Sequence, residues 1–120
     1  MRHEASYLKD ILYAAHRIEA IVVAKSREEF FKSDESQAAV LHHLTIIGEA
    51  VNRLSPGLCE RHSEVPWAQI VAVRNRIVHE YFGLDWQLLW GAAVDDVPLL
   101  RQQITSILQI EFGEPAPDFD

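Results

Sequence analysis

The sequence predicts an all-α protein, an antiparallel bundle of about four to five helices, and three observations carry that prediction. Apolar residues recur at steps of three and four along most of the chain. No segment alternates apolar and polar residues with the period of two that a half-buried strand needs. The 5 glycines and 5 prolines fall mostly where the apolar stripes begin or end.

Tyr7, Ile11, Ala15, Ile18 and Val22 describe one face of a long first helix. Ser26-Arg27-Glu28-Glu29 has the form of a capping box, in which the serine and the glutamate each bond the other's backbone N–H. It predicts a short second helix carrying Phe30 and Phe31. Ser33 or Asp34 can cap a third helix with an apolar seam of Leu41, Leu44, Gly48 and Val51. That helix is expected to end near Leu54, because Ser55-Pro56-Gly57 is turn chemistry. Val65-Pro66-Trp67 opens a fourth helix, since proline suits a first helical position; it carries Ile70, Val73, Ile77 and Val78 and is expected to end near Phe82-Gly83.

Asp85 can cap the fifth, whose stripe runs through Trp86, Trp90, Ala93, Val97, Leu100, Ile104 and Ile107. Pro98 lies inside this stripe and is expected to kink or split it. Residues 113–120 are acidic and broken by prolines, so the reading is a helical domain over 1–112 and a tail without fixed structure.

A chain of 120 residues accommodates one domain, and 48% hydrophobic with 24% charged residues is an ordinary globular balance. The net charge of −7 argues against a broad basic face gripping phosphates. It leaves room for one small basic cleft, or for a basic protein partner. Cys59 is the single cysteine, so no intrachain disulfide can form, and a reducing cytoplasm is the expected home. It has no neighbouring base to activate it as a nucleophile. No apolar run is long enough to cross a bilayer, and the opening residues have no leader pattern.

The segment Arg74-Asn75-Arg76-Ile77-Val78-His79-Glu80-Tyr81 gathers two of the 11 basic residues with an asparagine, a histidine and a tyrosine. Asn75 and His79 share a helix face at a spacing of four, and Arg76 neighbours His79 at three. Arg74 and His79 are five apart, about 140° around a straight helix, so they meet only if the helix ends near His79 or across a two-fold axis. The set suits metal-free phosphodiester cleavage. A histidine can give and take protons near neutral pH, serving a ribose 2′-hydroxyl or a leaving 5′-oxygen. Arginine offers a rigid fork of donors to the charge that develops on phosphate. Asn75 could orient the histidine or bind phosphate, with Arg76 assisting, and RNA would be the substrate because its 2′-hydroxyl is a built-in nucleophile. Set against this, an arginine and a histidine late in a helix often serve only as solvated charge or as caps on the last carbonyls.

Arg74-Asn75, three residues, then His79-Glu80-Tyr81 resembles the R-x4-H-x-Y motif of HepT-like proteins in the HEPN superfamily, where the position after the arginine is usually polar. Ile47-Gly48-Glu49-Ala50 is similar to that family's IGEA segment, and Val65-Pro66-Trp67 to its proline–tryptophan entry. The Ser26–Phe30 segment and the Trp90–Leu100 stripe also fit, so the resemblance spans roughly residues 4–108. It implies a helical bundle that forms a homodimer, with the arginine and histidine of both copies around one cleft. It implies a toxin of a type VII toxin–antitoxin system, cutting RNA with Arg74 and His79 and without metal or cofactor. The partner implied is a minimal nucleotidyltransferase antitoxin, which attaches AMP to the tyrosine equivalent to Tyr81. A phosphate-bearing group there adds bulk and negative charge where RNA phosphate should enter. HEPN domains also serve as non-catalytic nucleotide- or RNA-binding and protein-interaction modules, which the net acidity suits. A purely structural bundle, its motif only capping the fourth helix, is the third reading.

The remaining candidates carry less. His42 and His43 are consecutive, so they cannot share a helix face, and no further ligands stand at metal-binding spacing. His3, His16 and His62 belong to no constellation. Trp67, Trp86 and Trp90 are expected as core or dimer anchors. Arg53 and Arg61 could extend a basic rim. Gly48 costs about 1 kcal/mol inside a helix, so close approach of another helix is expected there. Glu49 beside it is either surface charge or the partner of an arginine.

Overall fold

The computed structural model describes residues 3–119; Met1, Arg2 and Asp120, which fall in the opening segment and the tail, lie outside the described residues. The architecture is all-α. The helices are α1 (Glu4–Val23), α2 (Arg27–Phe31), α3 (Asp34–Asn52), α4 (Pro56–Arg61), α5 (Trp67–His79), α6 (Trp86–Gly91) and α7 (Val97–Phe112). No described residue lies in a strand. No helix among the described residues is long and apolar enough to cross a membrane.

Helices α1, α2, α3, α4 and α6 start where side chains satisfy their first free N–H groups, whereas α5 and α7 have no side-chain cap. His3 Nδ1 accepts from the Ala5 N–H at 3.1 Å and opens α1. At α2 the capping box is complete: Ser26 Oγ accepts from the Glu29 N–H at 3.1 Å, and Glu29 Oε1 accepts from the Ser26 N–H at 2.9 Å. Those two bonds hold the Glu29 carboxyl below its ordinary pKa, the backbone N–H contributing most. Ser33, rather than Asp34, caps α3 through the Ser36 N–H at 3.2 Å. Asp85 caps α6 through the N–H groups of Gln87 and Leu88.

Two expectations need correction. Ser55-Pro56-Gly57 does not simply turn the chain. Ser55 accepts from the Leu58 N–H at 3.3 Å and Pro56 takes the first helical position, so the same residues launch α4. Second, α5 stops at His79, and Tyr81–Gly83 form a separate 3-10 turn, so the helix ends short of Phe82-Gly83. The expected stripe around Pro98 is divided into α6 and α7, the second of the two expected outcomes. Proline has no N–H for the carbonyl four residues back and crowds it. Helical backbone continues from Gly91 through Val97, but widens to π spacing over Ala92–Asp96.

The core forms around α1, whose Leu8, Ile11, Leu12, Ala15 and Ile18 are buried. Helix α1 packs against α3 and α7, and α3 packs in turn against α5. Phe30 of α2 is fully buried and lies against Trp90 and Trp86, with ring centroids 4.9 and 5.7 Å away. Trp67 anchors the entry to α5 by donating its indole N–H to the carbonyls of Cys59 and His62, at 3.1 and 2.9 Å. All three tryptophans thus pack against the core, as expected of anchors. After α7, Gly113 adopts a left-handed φ of 66°, and its N–H bonds the Gln109 carbonyl. The following residues carry no helix or strand, and Phe119 lies against the Tyr13 and His16 rings of α1.

Of the long helices, α5 is the least enclosed. Ile77 is its one buried residue, while Trp67, Ile70, Val71 and Val73 are half-covered. An apolar groove runs between α3, α5 and the α7 side, lined by Leu44, Ile47, Ile70, Val73, Val97 and Leu99. The motif residues sit at the far end of this exposed helix.

Candidate active site

Arg74 is positioned from below by a missing side chain. A Cβ built on Gly48 of α3 would stand 2.2 Å from Arg74 Cβ and 2.8 Å from its Cγ, so the glycine is what lets the arginine stem lie on α3. The expected close approach of another helix is therefore real, and Arg74 is the residue that makes it. Arg74 Nε is buried there without a hydrogen-bond partner.

Beyond the stem, the guanidinium is held at both terminal nitrogens. Nη1 donates to Asn75 Oδ1 at 2.8 Å, and Nη2 donates to Glu49 Oε1 at 3.1 Å. Asn75 therefore orients the arginine, not His79. Glu49 is the arginine's partner, one of the two alternatives open from the sequence. Its side chain remains 50% exposed and that of Arg74 30% exposed, so solvent still reaches the pair.

His79 is the last residue of α5, exposed, with no hydrogen-bond or ion-pair partner among the described residues. The helix runs unbroken from Arg74 through His79, so the two stay about 140° apart within one chain. Arg76 does not join them; its Nε stands 3.8 Å from Glu80, with both side chains largely exposed. Tyr81 sits on the 3-10 turn, 49% exposed, its ring 5.3 Å from that of the fully exposed Phe82.

Glu49 also lines an open cleft of mixed character between α1 and α3, together with Tyr7, Asp10, His42, Thr45, Ile46 and Arg53. His43 packs its ring 5.1 Å from that of His42, with Nδ1 buried and unpartnered. Burial first, then the charges of His42 and Arg17, pushes the His43 pKa down. Burial raises that of the Cys59 thiol, which keeps it in the unreactive protonated form. Among the described residues no three His, Cys, Asp or Glu side chains are grouped as metal ligands.

A second charged cluster was not legible in the sequence. Arg61 Nη2 and Nε donate to the two oxygens of Glu111 at 2.7 and 3.1 Å, and buried His62 places Nε2 2.7 Å from Glu111 Oε2. Arg61 first and His62 second hold the Glu111 carboxyl at about 2. Arg61 is thus committed to fastening α4 to the end of α7 rather than extending a basic rim. His62, which the sequence left without a constellation, sits at the centre of one.

Comparison with known proteins shows the family of the chain. The family described as "Ribonuclease HepT-like" matches residues 11–107. A protein of Caldanaerobacter subterraneus subsp. tengcongensis named "Putative RNase" is 36% identical over 111 residues, covering 92% of this chain and 99% of the relative. One of Thermococcus cleftensis named "Probable ribonuclease HepT" is 34% identical over 100 residues, 83% of this chain and 91% of the relative. A "Putative RNase" of Methanocaldococcus jannaschii is 33% identical over 103 residues, covering 86% and 94%. No solved structure matches the chain. An all-α bundle that presents Arg74 and His79 on one exposed helix, matched over most of its length, belongs to the ribonuclease HepT-like family of the HEPN superfamily.

Proposed function

We propose that this protein is a metal-independent endoribonuclease acting as a cytoplasmic toxin, with Arg74 and His79 as its catalytic residues. The observation that carries the reading is the contrast between them: Arg74 is fixed by Gly48, Asn75 and Glu49, while His79 stands free at the helix end. The names of the relatives support the same activity. In the reaction the ribose 2′-oxygen attacks the adjacent phosphorus and the bond to the 5′-oxygen breaks. The imidazole takes the proton from the 2′-hydroxyl and a proton is returned to the leaving 5′-oxygen, leaving a 2′,3′-cyclic phosphate, while the guanidinium stabilises the charge gathering on the phosphate.

One chain keeps the two residues on different sides of α5, so the reading includes a homodimer. The half-covered residues of α5 and the groove beside Leu99 supply an apolar face for a second copy. Paired helices would bring the arginine of each copy towards the histidine of the other. Tyr81, exposed two residues beyond His79, is the proposed site of AMP attachment by a nucleotidyltransferase antitoxin. Asn75 acts through Arg74, and Arg76 supplies peripheral positive charge.

The net charge of −7 favours a second reading, a non-catalytic HEPN module that binds a nucleotide, RNA or a protein partner. The two separate cleanly. Purified wild type is expected to cleave RNA in the presence of a chelator and to arrest bacterial growth when induced, while His79→Ala does neither. Binding of RNA without cleavage, dependent on Arg74 but not on His79, would establish the second reading instead.

A further inference from the structure

Gly48 and Glu49 are consecutive residues of α3, and both act on the same side chain of α5. We infer that Glu49 is a positioning residue for Arg74, holding the guanidinium plane in the orientation that receives an RNA phosphate. The inference rests on the ribonuclease reading given above. Three contacts fix the plane: the stem lies on Gly48, Nη1 is held by Asn75 from the same helix, and Nη2 by Glu49 from the neighbouring one. With Nε walled in, only the terminal nitrogens can meet a ligand. Each carries two N–H groups and gives one away, so each keeps one for phosphate.

A half-exposed pair of this kind adds little to stability, so its main consequence is geometric. An arginine stem has several rotatable bonds, and without the Glu49 oxygen the far end of the guanidinium loses its only hydrogen-bond anchor outside α5 among the described residues. The same carboxylate also places negative charge where an RNA phosphate must approach. Its removal therefore has two effects of opposite sign, weaker orientation and weaker repulsion.

The test compares wild type, Glu49→Ala and Glu49→Gln on a fluorescent single-stranded RNA oligonucleotide, with kcat and KM measured separately. Glu49→Ala is expected to lower kcat roughly ten- to hundredfold, the scale of losing the orientation of a catalytic group, while KM falls. Glu49→Gln keeps the accepting oxygen and is expected to recover most of that kcat with the lower KM. A simple surface charge would change KM alone. A readout independent of activity is the Nε–H resonance of Arg74 in protein labelled with nitrogen-15 arginine, identified by its absence in Arg74→Lys. In wild type it should exchange slowly with water, and in Glu49→Ala it should shift and exchange faster. An unchanged resonance, or an unchanged kcat, in Glu49→Ala overturns the inference. If wild type itself cleaves no RNA, the ribonuclease reading fails, and the resonance still decides whether Glu49 holds the arginine.

Discussion

Gly48 and Arg74 share one contact point between α3 and α5, with 2.2 Å separating a hypothetical Cβ on the glycine from Cβ of the arginine. The atoms that would collide are at the root of a side chain, so no rotamer change relieves them; the helices themselves must part. Gly48→Ala should gain about 1 kcal/mol of helix propensity. It should lose about 1–3 kcal/mol to overpacking, giving a net loss of stability. Arg74→Gly removes the colliding Cβ, so the double variant should be more stable than the sum of the single losses. Urea denaturation of the four proteins measures this, and additive effects would show that the two positions do not touch.

Arg74 and His79 should separate activity from folding. His79 is exposed and has no side-chain partner among the described residues, so His79→Ala is expected to change stability by no more than about 0.5 kcal/mol while abolishing RNA cleavage. Arg74→Lys keeps the charge but not the fork that Glu49 and Asn75 hold, and it too should lose most activity. Calorimetry beside a cleavage assay checks both, and a His79→Ala protein cleaving at the wild-type rate would refute the assignment.

The proposed dimer makes its own demand. Leu99 borders the apolar groove and is 55% exposed in the single chain. Leu99→Asp should therefore leave the protomer folded, shift sedimentation to the monomer, and reduce cleavage. A dimer that persists with Asp at this position would place the interface elsewhere.

What the sequence revealed, and what it did not, follows from the range of the interactions. The stripe of α1 and the caps at Ser26, Ser33 and Asp85 are local, set by residues within one turn, and could be read directly. Gly48 was legible as an anomaly, because a glycine inside a helix needs a reason, although its partner was not. Ser55-Pro56-Gly57 misled because a serine before a proline is equally good chemistry for a turn and for a helix start. The pairing of Glu111 with Arg61 and His62 spans 50 and 49 residues, and nothing in local spacing announces it. Spacing leaves Asn75 open between orienting the histidine and binding phosphate, and does not show that its Oδ1 accepts from the adjacent guanidinium.

Phe30 shows how a five-residue helix can matter to the whole bundle. It is fully buried, and its ring packs against Trp86 and Trp90 at the start of the long C-terminal helical run. Phe30→Ala should cost about 3–5 kcal/mol through lost burial and the cavity left behind. Phe30→Leu should cost appreciably less. Thermal unfolding followed by tryptophan fluorescence would report both the loss and the altered environment of the two indoles.

Acid should weaken the fold through Glu111. Its pKa is lowered from 4.5 to about 2 by the hydrogen bonds from Arg61 and His62. A carboxylate with a depressed folded-state pKa binds protons more readily when unfolded, so stability falls as pH falls. The contribution is complete above about pH 4.5, shrinks below it, and is gone once pH drops through about 2. Glu111→Gln cannot accept the same charge-assisted bonds, and it should melt below wild type at neutral pH. The gap should hold constant down to about pH 5, narrow below 4.5 and close near 2. Melting temperatures of the two proteins from pH 2 to 7 measure it. A gap independent of pH would mean that Glu111 stabilises the junction of α4 and α7 by packing rather than by charge.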